Sequence, residues 1–218
     1  MYYTSRLIGQ LNIDVDVRRS IVADYPMNEG TGTTIYERVN SMNGTIIQGV
    51  TWSDDMAVFG GSGLITVANN SALNLAGDRS FMCWIKFTET ANKVIFEKND
   101  NNGFSIQDQS GYTKIQSPVY SPDVRTSIIN NNIFHHVAFV INQANNIQKV
   151  YVDGQLYNAY AFTGGTPSYG TNTPLYIGSR NQSYGMIGTL GDIRIYNTLL
   201  NDIEIATIYN YQKSRYGL

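Results

Sequence analysis

Few residues in this chain are placed to do covalent chemistry. His135 and His136 are its only histidines. Neighbours on a strand point to opposite faces, so the two cannot grip one metal from the same side. One is expected to face the core and be hydrogen-bonded there. Cys83 stands alone within F-M-C-W-I, which excludes an intramolecular disulfide or a thiolate metal cage and reads as a small buried hydrophobe. Retaining glycoside hydrolysis needs two carboxylates about 5 Å apart. An alternating acidic string such as E-x-D-x-E would set them on one strand face, and no such string occurs. Asp14 and Asp16 lack a Glu partner, Asp54-Asp55 reads as a turn, and Asp202 with Glu204 reads as a helix start. G-x-S-x-G and a Ser/His/Asp order are also absent. The chain does not read as an enzyme.

Recognition chemistry is better represented. A sugar presents apolar CH faces beside hydroxyl edges, which suits an aromatic ring flanked by amide or guanidinium groups. Tyr169, Arg180, Asn181 and Tyr184 lie in two successive polar loops flanking one strand, and they are expected to converge on one edge. Tyr157 and Tyr160 would extend that surface. Ordinary packing of Tyr-rich loops accounts for the same residues. The net charge of −2, with Arg18-Arg19 as the only basic cluster, argues against nucleic acid as a partner. No apolar run reaches the length of a membrane span, so no membrane insertion is expected.

The elements that must position these residues are mostly strands. Ser20–Met27, Thr45–Trp52, Ala57–Phe59, Leu64–Val67, Lys93–Glu97, Phe104–Gln107, Tyr112–Ser117, Val124–Ile129, Ile133–Asn142, Ile147–Asp153 and Gln155–Phe162 are short runs broken by turn residues. Ser80–Thr88 is apolar on both faces, as a strand covered on both sides would be. From Met186 the pattern alternates again. Ile187, Thr189, Gly191, Ile193 and Ile195 are expected to enter the core, leaving Leu190, Asp192, Arg194 and Tyr196 on the accessible side. Asn201 followed by Glu204 is a capping box, predicting a helix from Asp202 to about Lys213. Many short strands with one terminal helix point to a two-sheet antiparallel sandwich.

The same words resemble a known family. The run G-T-L-G-D-I-R-I-Y-N from Gly188 is similar to the closing signature of the laminin-G-like, concanavalin-A-like jelly rolls, a group related to pentraxins. Ala23–Gly32, Ser80–Lys86, Phe134–Val140 and Val150–Gly154 resemble further family motifs in the same order, and Phe134 stands where the family has Trp. The resemblance spans roughly Ser20 to Tyr211. It implies an all-β, two-sheet jelly-roll sandwich with a short C-terminal helix. It also implies a structural calcium ion, with Asp192 supplying a carboxylate and Asn28 and Glu29 adding oxygens from the opening turn. Pairing of Asp192 with Arg194 or a backbone amide is the alternative.

The expected role is a non-catalytic, lectin-like module that binds a glycan or polysaccharide. A virion decoration or fibre protein that mainly contacts other subunits is the alternative. Most relatives of this fold act outside cells, yet residues 1–17 show no apolar core of a signal peptide, so an extracellular or virion surface is expected. Residues 1–19 lie outside the family-like domain, taken as 20–218. Within them Leu11, Ile13, Val15 and Val17 alternate with polar residues, as in a strand that joins a sheet edge, either of its own domain or of a neighbouring subunit or scaffold.

Overall fold

The computed structural model describes residues 20–99, 102–116 and 121–218; the arm of residues 1–19, with its alternating segment, lies outside them. Among the described residues the strands are β1 (Ile21–Tyr25), β2 (Thr34–Ile35), β3 (Gly44–Ser53), β4 (Met56–Val67), β5 (Arg79–Phe87), β6 (Lys93–Lys98) and β7 (Phe104–Gln109). They continue as β8 (Tyr112–Gln116), β9 (His135–Asn142), β10 (Ile147–Val152), β11 (Gln155–Ala161), β12 (Leu175–Ile177) and β13 (Ile187–Tyr196). Helix α1 (Asp202–Gln212) and a 3-10 turn (Lys213–Tyr216) follow.

All strand pairs are antiparallel, along the path β11-β10-β9-β5-β13-β4-β12-β6-β7-β8. The sheet curls on itself into a jelly-roll sandwich. Its two ends are tied together: Ser121 and Thr163 exchange backbone hydrogen bonds of 3.0 and 2.9 Å, and Gln148 donates to the Pro122 carbonyl. Between the layers Phe81, Phe96 and Phe104 meet, with ring centroids 4.4 to 6.4 Å apart. Each such buried aromatic stabilises by about 1.5–3 kcal/mol.

Several sequence expectations hold. β5 is buried on both faces, and Cys83 is buried within it. Asn201 caps α1 as a full capping box, accepting from Glu204 N while the Glu204 side chain accepts from Asn201 N. Ile205 and Ile208 pack beneath the helix on Tyr151 and Tyr196.

Others need correction. β4 is continuous across Gly60–Gly63 instead of breaking there, because two register shifts against β3 absorb the glycines. Val124–Ile129 is not a strand: Arg125 makes one isolated bridge to Lys114. In β13 Leu190 faces Ile85 while Ile193 faces Cys83, so three steps on one strand match two on the other. This bulge reverses the alternation. Leu190 therefore joins Ile193 and Ile195 in the core, whereas Ile187 is 40% exposed. The other side of β13 is also covered, by α1 and the final turn, so Asp192 and Tyr196 are buried.

The histidines divide as their adjacency requires, but not with the expected bonding. His135 Nδ1 lies 2.8 Å from Asp153 Oδ2, and its Nε2 lies 3.1 Å from Asn131 Oδ1. His136 is fully buried, yet neither ring nitrogen has a hydrogen-bond partner. It sits beside Trp84 and Tyr209 instead, 5.2 and 6.1 Å between ring centroids. Burial holds its pKa down at about 3, so the ring is neutral.

Candidate functional site

In β6, β7 and β8 the cross-strand neighbours Phe96, Ile106 and Ile115 all face the core. Alternation then turns Glu97, Ser105, Gln107 and Lys114 to the outer face of the same sheet. These four are nonetheless nearly inaccessible, at 2%, 1%, 2% and 7% exposure, so they form a covered polar floor to this face. Buried polar groups must be bonded to one another. Ser105 Oγ donates to Glu97 Oε2 at 2.9 Å, and Gln107 Nε2 donates to Ser105 Oγ at 2.9 Å. Lys114 Nζ lies 3.2 Å from Asp123 Oδ2. One acceptor is left over: Gln107 Oε1 is buried and has no partner.

The loop before β13 bounds this floor on the β6 side. Arg180 and Ser183 exchange two backbone hydrogen bonds of 2.7 Å, and Val94 N–H donates to the Tyr184 carbonyl at 2.9 Å. Asn181, Gln182 and Tyr184 take φ values of 40°, 73° and 54°. A left-handed backbone costs non-glycine residues on the order of 1–3 kcal/mol and concentrates at ligand-contacting segments. Held this way, Arg180 forms three hydrogen bonds of 2.9 to 3.1 Å to Glu97, and its guanidinium lies 5.2 Å from the Tyr184 ring centre. Tyr184 itself is 52% exposed.

The opposite side is built alike. Tyr112 shares the outer face of β8 with Lys114, and the Lys114–Arg125 bridge puts Arg125 on that face as well. The Arg125 guanidinium lies 5.0 Å from the Tyr112 ring centre and donates to its hydroxyl at 3.2 Å. Tyr160 is the cross-strand neighbour of Gln148, whose amide donates to the Pro122 carbonyl three residues before Arg125. An Arg–Tyr pair thus stands at each end of a polar floor three strands across, two strand spacings or about 10 Å. Rings and guanidinium groups at the rims with amide, hydroxyl and ammonium groups between them suit a short chain of sugars.

Of the residues expected from the loops, Arg180, Asn181 and Tyr184 belong to the first rim and Tyr160 adjoins the second. Tyr169 turns inward. Its hydroxyl donates to the Leu75 carbonyl at 3.0 Å, its ring meets the edge of Phe104, and burial lifts its pKa to about 12. Tyr157 is half exposed on β11, at the register shift opposite Val150 and Tyr151. The floor residues and the Tyr112–Arg125 rim are additions. Ser105-x-Gln107-x-Gln109 and Tyr112-x-Lys114-x-Gln116 were the available signal, a polar face repeated on adjacent strands.

The residues implied for calcium are held otherwise. Asp192 Oδ2 accepts from Arg215 Nη1 at 2.6 Å and from the Tyr216 hydroxyl, and its Oδ1 lies 3.8 Å from Arg194. Two guanidinium groups already neutralise this carboxylate. Glu29 Oε1 accepts from Tyr36 N–H at 2.8 Å, its Oε2 is buried without a partner, and Asn28 is exposed. Among the described residues no three His, Cys, Asp or Glu side chains gather into a metal cage. A cation needing six to eight oxygens does not fit on Asp192.

The curled antiparallel sheet and its polar face define a lectin-like β-sandwich. The model of the concanavalin A-like lectin/glucanases superfamily matches residues 59–206, and the chain belongs to that family. No curated protein matches it in sequence. Among solved structures it is similar to the binding domain of Paraclostridial Mosquitocidal Protein 1, with TM-score 0.70 and 18% identity over 89% of this chain and 52% of that one. The binding domain of Botulinum Neurotoxin DC in complex with SialylT gives TM-score 0.67 and 15% identity over 89% and 52%. A Trypanosoma rangeli sialidase in complex with sialic acid gives TM-score 0.66 and 16% identity over 90% and 34%. The chain thus spans about half, or a third, of the length of these structures, and at such identities the likeness is one of fold.

Proposed function

We propose that this protein is a non-catalytic glycan-binding module whose ligand lies on the outer face of β6, β7 and β8. The observation that carries this reading is the bracketed polar floor, in which the buried acceptor Gln107 Oε1 has no partner. An unpaired buried acceptor is costly alone and is satisfied when a ligand donates to it. Similarity to toxin binding domains, one of them bound to SialylT, supports the same class of ligand. A hydrolytic role is disfavoured because Glu97, the carboxylate of the floor, is tied to Arg180 by three hydrogen bonds. An extracellular or virion surface would suit such a module.

A glycan array followed by calorimetric titration of the best ligand tests the reading. Gln107→Leu and Tyr184→Ala should each weaken binding about tenfold, or 1.4 kcal/mol. Unchanged affinity in both variants would move the site elsewhere, and no binding across the array would reject the function.

A second reading, a subunit-contact role, has β11 in its favour. This strand, Q-L-Y-N-A-Y-A, carries no charge and exposes Leu156, Tyr157 and Tyr160, the kind of sheet edge that pairs with another chain. A stable oligomer in light scattering, dissolved by Leu156→Lys, would support it.

A further inference from the structure

Among the described residues of the binding face the charges do not cancel. Glu97 is answered by Arg180 and Asp123 by Lys114, at 2.9 and 3.2 Å. Two carboxylates therefore meet three cations among the described residues of this face; Asp123 acts on Arg125 as well as on Lys114, and one positive charge is left over between those two cations. The Arg125 guanidinium donates one hydrogen bond, to the neutral Tyr112 hydroxyl, and is exposed. The Tyr112 ring, 5.0 Å away, and the bond to its hydroxyl hold the planar fork in place and use one of its donors. A stacked, preordered guanidinium is the group that recognises a carboxylate in two-pronged fashion.

We infer that Arg125 selects a carboxylate-bearing sugar at the β8 end of the face, so that the ligand is an acidic oligosaccharide rather than a neutral one. This rests on the glycan-binding reading and makes it specific. The acidic sugar packs against Tyr160, its carboxylate takes the Arg125 fork above Tyr112, and the neutral remainder of the chain runs across Gln107 towards Tyr184.

The test compares matched probes that differ only in charge: oligogalacturonate against its methyl ester, and sialyllactose against lactose. The readout is the affinity ratio within each pair, for the full chain and for Arg125→Gln and Arg125→Lys. At least one acidic member should bind about tenfold more tightly than its neutral partner, the worth of one charge-assisted bond. Arg125→Gln should bring that ratio close to one. Arg125→Lys should restore it in part, and rising salt should lower it in the wild type. Neutral and acidic members binding alike, or a preference that survives Arg125→Gln, would overturn the inference and leave glycan binding standing. If no probe of either kind binds, and the wider array is silent, both fall together.

Discussion

Arg180 and Glu97 are joined by three hydrogen bonds although one comes from a strained loop and the other from the middle of the curled sheet. Their exposures differ sharply, 29% for the Arg180 side chain and 2% for that of Glu97. Removing the cation strands a buried carboxylate, whereas neutralising the acid leaves an arginine that can turn to water. Arg180→Ala should therefore cost about 3 kcal/mol, the low end for a broken buried pair because Arg180 is partly wet. Glu97→Gln should cost distinctly less. Urea unfolding of both variants decides it, and equal losses would show that the pair is not held by this asymmetry.

Two buried groups set opposing pH trends. His136 titrates at about 3 when folded against 6.5 ordinarily, chiefly because burial disfavours its cation. The unfolded chain takes up that proton first, so stability is lost as pH falls from 6.5 towards 3. Asp108 is raised from 3.8 to about 8, again chiefly by burial, which the nearby Lys93 only partly offsets. Its folded form keeps a proton that the unfolded chain has released, so this contribution falls as pH rises from 3.8 to 8. Between 6.5 and 8 the aspartate acts alone of the two. Stability should decline across that window and Asp108→Asn should flatten the decline, as thermal melts at successive pH values would reveal.

Tyr169 is a packing residue on this geometry. Tyr169→Phe removes the bond to the Leu75 carbonyl while keeping the ring against Phe104, and should cost about 1 kcal/mol. Glycan affinity should be unchanged. A selective loss of binding with stability intact would return Tyr169 to the site.

Because Arg215 and Tyr216 already satisfy Asp192, melting temperatures with excess calcium and with chelator should coincide. A ligand at a hundredfold excess over its Kd stabilises by about 2.7 kcal/mol, which would raise the melting point by several degrees. A rise of that size, lost in Glu29→Gln, would instead place an ion at the unpartnered Glu29 oxygen.

Features written within a few residues were legible in the sequence. The Asn201–Glu204 cap is one, and the doubly apolar Ser80–Thr88 strand is another. The family signature around β13 was legible for the same reason. The facing of that strand was not, since the bulge at Gly191–Asp192 appears only when β13 is laid against β5. The binding floor was hidden differently. Glu97, Ser105, Gln107 and Lys114 come from three strands, and only their register makes neighbours of them. The role expected for Tyr169 depended on which way one loop side chain turns, and loop composition does not encode that.

The placement of β13 also bears on how the chain folds. It is the last strand in sequence, yet it lies mid-sheet, paired with β5 along its length, with β4 over its first half and with β1 over its second. Until it is in place, β4 and β5 have no bridge between them. Such long-range pairings close slowly. A ribosome-bound chain lacking this strand would hold the hydrophobic edges of β4 and β5 open, which makes that stage the one most exposed to aggregation.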